Sequence, residues 1–120
     1  MKYRIKPKPY VEARVKQLAG AFTKLCSLEK MPYITFSKSE VKRLGLRRYS
    51  NLANRYTGMT WSDKNVIYIS PRLTMGGARD TLAHEFIHLR FHPQSHGKRF
   101  EELKSRLLAG EQFKPRRSRS

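Results

Sequence analysis

Residues His84-Glu85-Phe86-Ile87-His88 set two imidazoles four positions apart, with a carboxylate beside the first. In an α-helix, positions i and i+4 share one face and lie about 6 Å apart along the axis. Both rings can then turn a nitrogen toward one cation, with Zn–N bonds of about 2.0–2.1 Å. Glu85, next to the first ring, is placed to reach a water at that ion and take its proton. The chemistry that this spacing serves is metal-assisted hydrolysis.

A helical wheel at about 100° per residue strengthens the reading. Leu82, Ala83, Phe86, Ile87, Leu89 and Phe91 cover most of the circumference, and one narrow polar arc holds Thr81, His84, Glu85, His88 and His92. Arg90 alone interrupts the apolar side. A helix buried nearly all round should carry polar groups only where they are satisfied or used.

A hydrolytic zinc site takes three protein ligands and leaves one position open, so a third ligand must lie beyond the helix. His92 is at i+8 from His84, about 12 Å along a straight axis, too far to share the ion. Pro93 disfavours helical geometry at His92 and helps to end the helix. The turn Pro93-Gln94-Ser95 can fold His96 back over the site, and Gly97 gives the backbone room. His96 is therefore preferred, with Glu101 or Glu102 on a following helix as the other candidates.

The elements that must position these groups are short. The chain has 120 residues, one domain with a modest core. Val11, Val15, Leu18, Ala19 and Phe22 recur at helical spacing over about 10–24. Tyr33-Ile34-Thr35-Phe36 reads as a short strand. Residues 37 to 54 are basic and poorly periodic, a loop or a short helix. Residues 55–61 and 65–70 read as a hairpin around Ser62-Asp63-Lys64. The histidine helix is expected from about 78 to 91, and a last amphipathic helix from about 98 to 108. The fold class is thus α+β: an N-terminal helix, a small three-stranded mixed or antiparallel sheet, an active-site helix and a C-terminal helix. Residues 1–9 read as a basic arm, 10–110 as the domain, and 111–120 as a basic disordered tail.

There are 26 Lys+Arg against 9 Asp+Glu, a formal charge of +17. Such an excess favours polyanions, above all nucleic acid, with salt-sensitive affinity. Lys42, Arg43, Arg47, Arg48, Arg116 and Arg117 are the candidate contacts. Cys26 is the single cysteine, which excludes an intrachain disulfide and a cysteine zinc ribbon. The basic start lacks the apolar run of a signal peptide, and no stretch reaches the roughly 20 apolar residues that span a bilayer. The expectation is an intracellular protein, cytoplasmic or associated with nucleoid or nucleus, with no membrane partner.

With these residues in view, the chain resembles the SprT-like (Spartan-type) family of zinc metalloproteases, over roughly residues 57–107. The likeness begins with Thr57-Gly58-Met59-Thr60-Trp61 and Asn65-Val66-Ile67-Tyr68-Ile69-Ser70. It continues with Thr81-Leu82-Ala83-His84-Glu85-Phe86-Ile87-His88, similar to the family's TLxHExxH, and with His96-Gly97-Lys98-Arg99-Phe100, similar to its HGxxF. The resemblance implies a minimal zincin-like domain, one Zn2+ held by His84, His88 and His96, and Glu85 as catalytic base. It also implies peptide cleavage in proteins bound or crosslinked to DNA. Tyr3, Tyr10, Tyr49 and Trp61 lie near basic residues and suit stacking on unpaired bases, which adds single-stranded DNA to the expected partners. The competing reading is a nucleic-acid-binding protein in which the zinc is structural. A third is a zincin acting on one dedicated protein partner.

Overall fold

The computed structural model describes residues 6–46, 57–92 and 95–115. Its elements run α1 (Pro9–Leu25), β1 (Tyr33–Thr35), α2 (Lys38–Arg43), β2 (Gly58–Trp61), β3 (Val66–Ile69), α3 (Met75–Phe91) and α4 (Lys98–Leu108). The expected α+β class is the observed one, with a small mixed sheet and, among the described residues, four helices, α2 falling where a loop or a short helix was expected; it is consistent with a minimal zincin-like domain. Tyr3, Arg47, Arg48, Tyr49, the part of the first hairpin strand before Thr57, and the tail from Arg116 lie outside the described residues.

The sheet has the order β1-β3-β2. β3 pairs in parallel with β1, Ile34 opposite Ile67, and antiparallel with β2, Thr60 opposite Ile67 and Gly58 opposite Ile69. All four residues of β3 are buried, as a central strand covered on both faces requires. Ile67 and Ile69 face a core built with α1, α3 and α4, whereas Val66 and Tyr68 face a second cluster with Val41, Leu46 and Trp61. The hairpin turns through Asn65, whose φ of 56° is a left-handed conformation that asparagine tolerates.

Val11, Val15, Leu18, Ala19 and Phe22 of α1 pack in the same core as Leu82, Ala83 and Phe86 of α3. Helix α3 starts earlier than the apolar periodicity indicates. Thr74 caps it, its hydroxyl accepting from the Gly77 N–H at 3.2 Å, a bond that satisfies one of the orphan donors of the first turn. Gly76 and Gly77 therefore lie inside the helix rather than ahead of it.

Arg90, the one charge on the apolar side of α3, is buried and inward. It donates to the Cys26 carbonyl at 2.8 Å and the Lys114 carbonyl at 2.7 Å, tying the end of α1 and the C-terminal segment to α3. This changes the tail boundary. Residues 111–115, read as the start of a disordered tail, pack on the domain, with Phe113 buried in the main core. The Phe113 N–H donates to Leu25 O at 2.7 Å, and the Ser27 hydroxyl donates to Phe113 O at 2.6 Å. A single large aromatic supplies enough apolar area to dock a polar segment. No helix among the described residues is long and apolar enough to cross a membrane.

Candidate metal centre

Two helices and one turn build the site. Helical spacing on α3 sets His84 and His88 side by side, their Nε2 atoms 3.1 Å apart. The helix ends at His92, which adopts φ 49° and ψ 50° and so swings the chain off the axis. The chain returns to present His96, whose Nε2 is 2.7 Å from that of His88. The metal-ligating atoms of His84, His88 and His96 all lie within 4.8 Å of one another, and no fourth donor joins them among the described residues. His92 is exposed and outside the group, as are Glu101, which pairs with Lys104 at 3.4 Å, and Glu102.

The donor set fits one small cation. Two nitrogens each about 2.0–2.1 Å from a tetrahedral ion stand about 3.3 Å apart, close to the 3.1 Å between His84 and His88 and somewhat longer than the 2.7 Å between His88 and His96. A ring nitrogen offers one lone pair or one N–H, never both, so three such atoms converging on one point suit a cation better than one another. Helix α4 supplies the support: the Phe100 ring lies 4.5, 5.0 and 4.9 Å from the His84, His88 and His96 rings, centroid to centroid. Burial favours the neutral, ligating form of both α3 imidazoles. It lowers the pKa of His84, and it brings that of His88 down to about 4, with the neighbouring His84, His96 and His92 charges adding to the shift.

Glu85 is buried, and that burial raises its carboxyl pKa to about 7, against a smaller opposing effect of Thr60. The Thr60 hydroxyl of β2 lies 2.7 Å from Glu85 Oε1 and 3.2 Å from the Glu85 carbonyl oxygen, and donates to them. β2 approaches α3 so closely that a Cβ on Gly58 would meet Thr81 Cγ2 at 2.6 Å and Glu85 Oε2 at 3.0 Å. Alternation along β2 thus turns Gly58 and Thr60 toward α3, while Trp61 packs in the cluster on the other face.

Neither Tyr68 nor Arg90 faces this site. Tyr68 is fully buried on the opposite face of the sheet, and Arg90 is spent on two backbone carbonyls. β3 is paired on both sides; the edge left unpaired beside Glu85, among the described residues, is that of its partner β2. Of the candidate nucleic-acid contacts, Lys42 and Arg43 lie in the last turn of α2, Arg43 paired with Glu40 at 2.9 Å, and the other four fall outside the described residues. Gly58, Thr60 and Phe100 stand in the motifs that resemble the SprT-like family, but sequence reading assigned them no part in the site. The one local signal was the glycine inside a strand pattern, which marks close approach of another element.

No curated protein and no solved structure matches the chain. A family model, Peptidase_M78, described as the IrrE N-terminal-like domain, matches residues 30–113 and so spans every element from β1 to Phe113. It is a zincin-type peptidase family related to, and distinct from, the SprT-like family that the motifs resemble. With three imidazoles able to hold a metal inside the matched region, the chain belongs to the IrrE N-terminal-like domain family and carries a metallopeptidase-like domain.

Proposed function

We propose that this protein is a zinc-dependent endopeptidase of the zincin type that acts on proteins bound or crosslinked to DNA. One observation carries the hydrolytic part: Glu85 is a buried carboxylate adjacent to His84, held by Thr60, at a site with three converging imidazoles and no fourth protein donor among the described residues. A structural zinc site is closed by a fourth protein ligand and has no use for a base.

His84, His88 and His96 would hold the ion. Zinc bound there supplies Lewis acidity and brings the pKa of a water toward about 7. Glu85, with a pKa near 7, is matched to neutral pH and takes the proton of the attacking water, then returns it to the leaving amine. Thr60 keeps one carboxylate oxygen fixed, which leaves the other for the proton transfer. An extended substrate adds along the unpaired edge of β2, so that its backbone runs past Glu85. The charge of +17 and the likeness of the HExxH and His-Gly elements to SprT-like proteases support DNA-bound protein as the substrate class. The lone buried Cys26, its thiol pushed up to about 12 by burial, supports an intracellular setting.

The test is zinc-loaded protein incubated with a DNA-binding protein, with and without DNA. Cleavage that DNA stimulates and that Glu85→Gln abolishes is expected. Wild-type cleavage by the Glu85→Gln variant would overturn the role of Glu85, and cleavage indifferent to DNA would overturn the substrate class.

A further inference from the structure

Helix α4 has two working faces. Phe100 packs on the three imidazoles. Arg99, Leu103 and Arg106, which share another face by their spacing, line an open cleft of about 560 Å3 between α3, α4 and the C-terminal segment. Phe91, Phe113 and Lys114 also line it, the two rings 5.1 Å apart.

Four cations and one acid line this cleft. Arg90 is turned inward onto backbone carbonyls. Arg106 is held by Glu111 through two hydrogen bonds of 2.7 Å and lies 4.9 Å above the Phe113 ring. Arg99 and Lys114 are exposed, and neither forms an ion pair among the described residues. The Lys114 backbone is pinned by Arg90, so its ammonium is carried on a fixed wall. The sequence continues from this rim as Pro115-Arg116-Arg117-Ser118-Arg119.

We infer that this cleft is the nucleic-acid interface of the protein, with Arg99 and Lys114 gripping successive phosphates and Arg106 held in reserve by Glu111. Fixed, uncompensated cations along a groove are what tracks a phosphate backbone. The cleft and the imidazole group share helix α4, through Arg99 on one side and Phe100 on the other. The inference rests on the DNA part of the proposed function and is independent of whether peptide is cut.

Fluorescence anisotropy of a labelled oligonucleotide of about 30 nucleotides, titrated across salt, tests it. Arg99→Gln with Lys114→Gln should weaken binding on the order of tenfold and reduce the slope of log K against log salt by about 1.5 to 2. Lys42→Gln with Arg43→Gln removes the same charge from α2 and should do distinctly less. Glu111→Gln, which releases Arg106, should tighten binding and steepen the slope by about one contact. Glu12→Gln, which releases Lys16 in the same way on α1, should not match it. Equal effects at cleft and control positions would overturn the cleft while leaving DNA binding intact. No binding by the wild type would overturn the cleft and the DNA part of the function together. Poly-glutamate bound as tightly, with the same loss in the cleft variant, would overturn nucleic acid in favour of an acidic protein surface.

Discussion

Thr60 and Glu85 stand 25 residues apart in the chain, and the threonine hydroxyl donates to the glutamate carboxylate at 2.7 Å across the β2–α3 contact. Hydrogen bonds to charged groups are worth about 1.5–3 kcal/mol. Thr60→Val keeps the shape and removes the donor, so kcat should fall roughly 10- to 100-fold with zinc content unchanged. Thr60→Ser should recover most of it. Equal activity in the valine variant would show that Glu85 needs no such anchor.

Burial of Glu85 also has a stability cost of a definite sign. Its pKa is raised from 4.5 to about 7, so the folded chain prefers the protonated form. That contribution is intact below about pH 4.5 and is lost as pH rises through 7. In metal-free protein, Glu85→Gln should therefore raise stability at pH 8 by up to about 3 kcal/mol. The gain should shrink toward zero near pH 4.5. Denaturant melts in chelator at the two pH values measure it, and a gain of the same size at both would contradict the shift.

Metal retention should survive mild acid. Three solvated imidazoles would each lose one proton to bind, costing about three powers of ten in affinity per pH unit below about 6.5. The pKa of His84 is lowered by burial and that of His88 is brought down to about 4, so His88 stays neutral well below 6.5 and burial also favours the neutral form of His84. Between pH 6.5 and 5.5 zinc affinity should fall by well under about a hundredfold. A loss of about 170-fold in competition titrations, the value for three imidazoles of pKa about 6.5, would show that both rings titrate as if in water.

Gly58→Ala should damage fold and site together. The added carbon meets a short, branched threonine and the Glu85 side chain at 2.6 and 3.0 Å, and overpacking of this kind costs about 1–3 kcal/mol. Chemical denaturation should show the loss. Unchanged stability would mean that β2 can retreat from α3 freely.

Phe100→Leu tests the floor under the imidazoles. Supporting groups beyond the ligands typically contribute 10- to 100-fold in metal affinity. A loss in that range is expected in zinc titrations, with the helical signal retained. Unaltered affinity would reduce Phe100 to core packing.

The part of the site legible in the sequence was the part written in local spacing. His84, Glu85 and His88 follow from one helical turn, and Pro93 with Gly97 announces a return that brings His96 back. What stayed hidden depends on elements meeting across the fold. Phe100 reads as one more apolar residue of an amphipathic helix until α4 is laid against α3. The strand order was hidden for the same reason, although the unbroken apolar run Val66-Ile67-Tyr68-Ile69 already fits a central strand better than an edge. Arg90 was visible as an exception on the wheel, but its backbone partners at Cys26 and Lys114 lie 64 and 24 residues away. Phe113, beyond the helix stop at Gly110, was an aromatic in a polar segment, and its burial moved the domain end past residue 110.

The central claim is that His84, His88 and His96 hold one metal ion for hydrolysis. Anomalous diffraction collected above and below the zinc absorption edge, on crystals of protein never exposed to chelator, tests it most directly. One zinc peak is expected about 2.0–2.1 Å from the Nε2 atoms of all three histidines, with the remaining position filled by solvent. A peak elsewhere, a fourth protein ligand closing the ion, or no stoichiometric peak at all would contradict it.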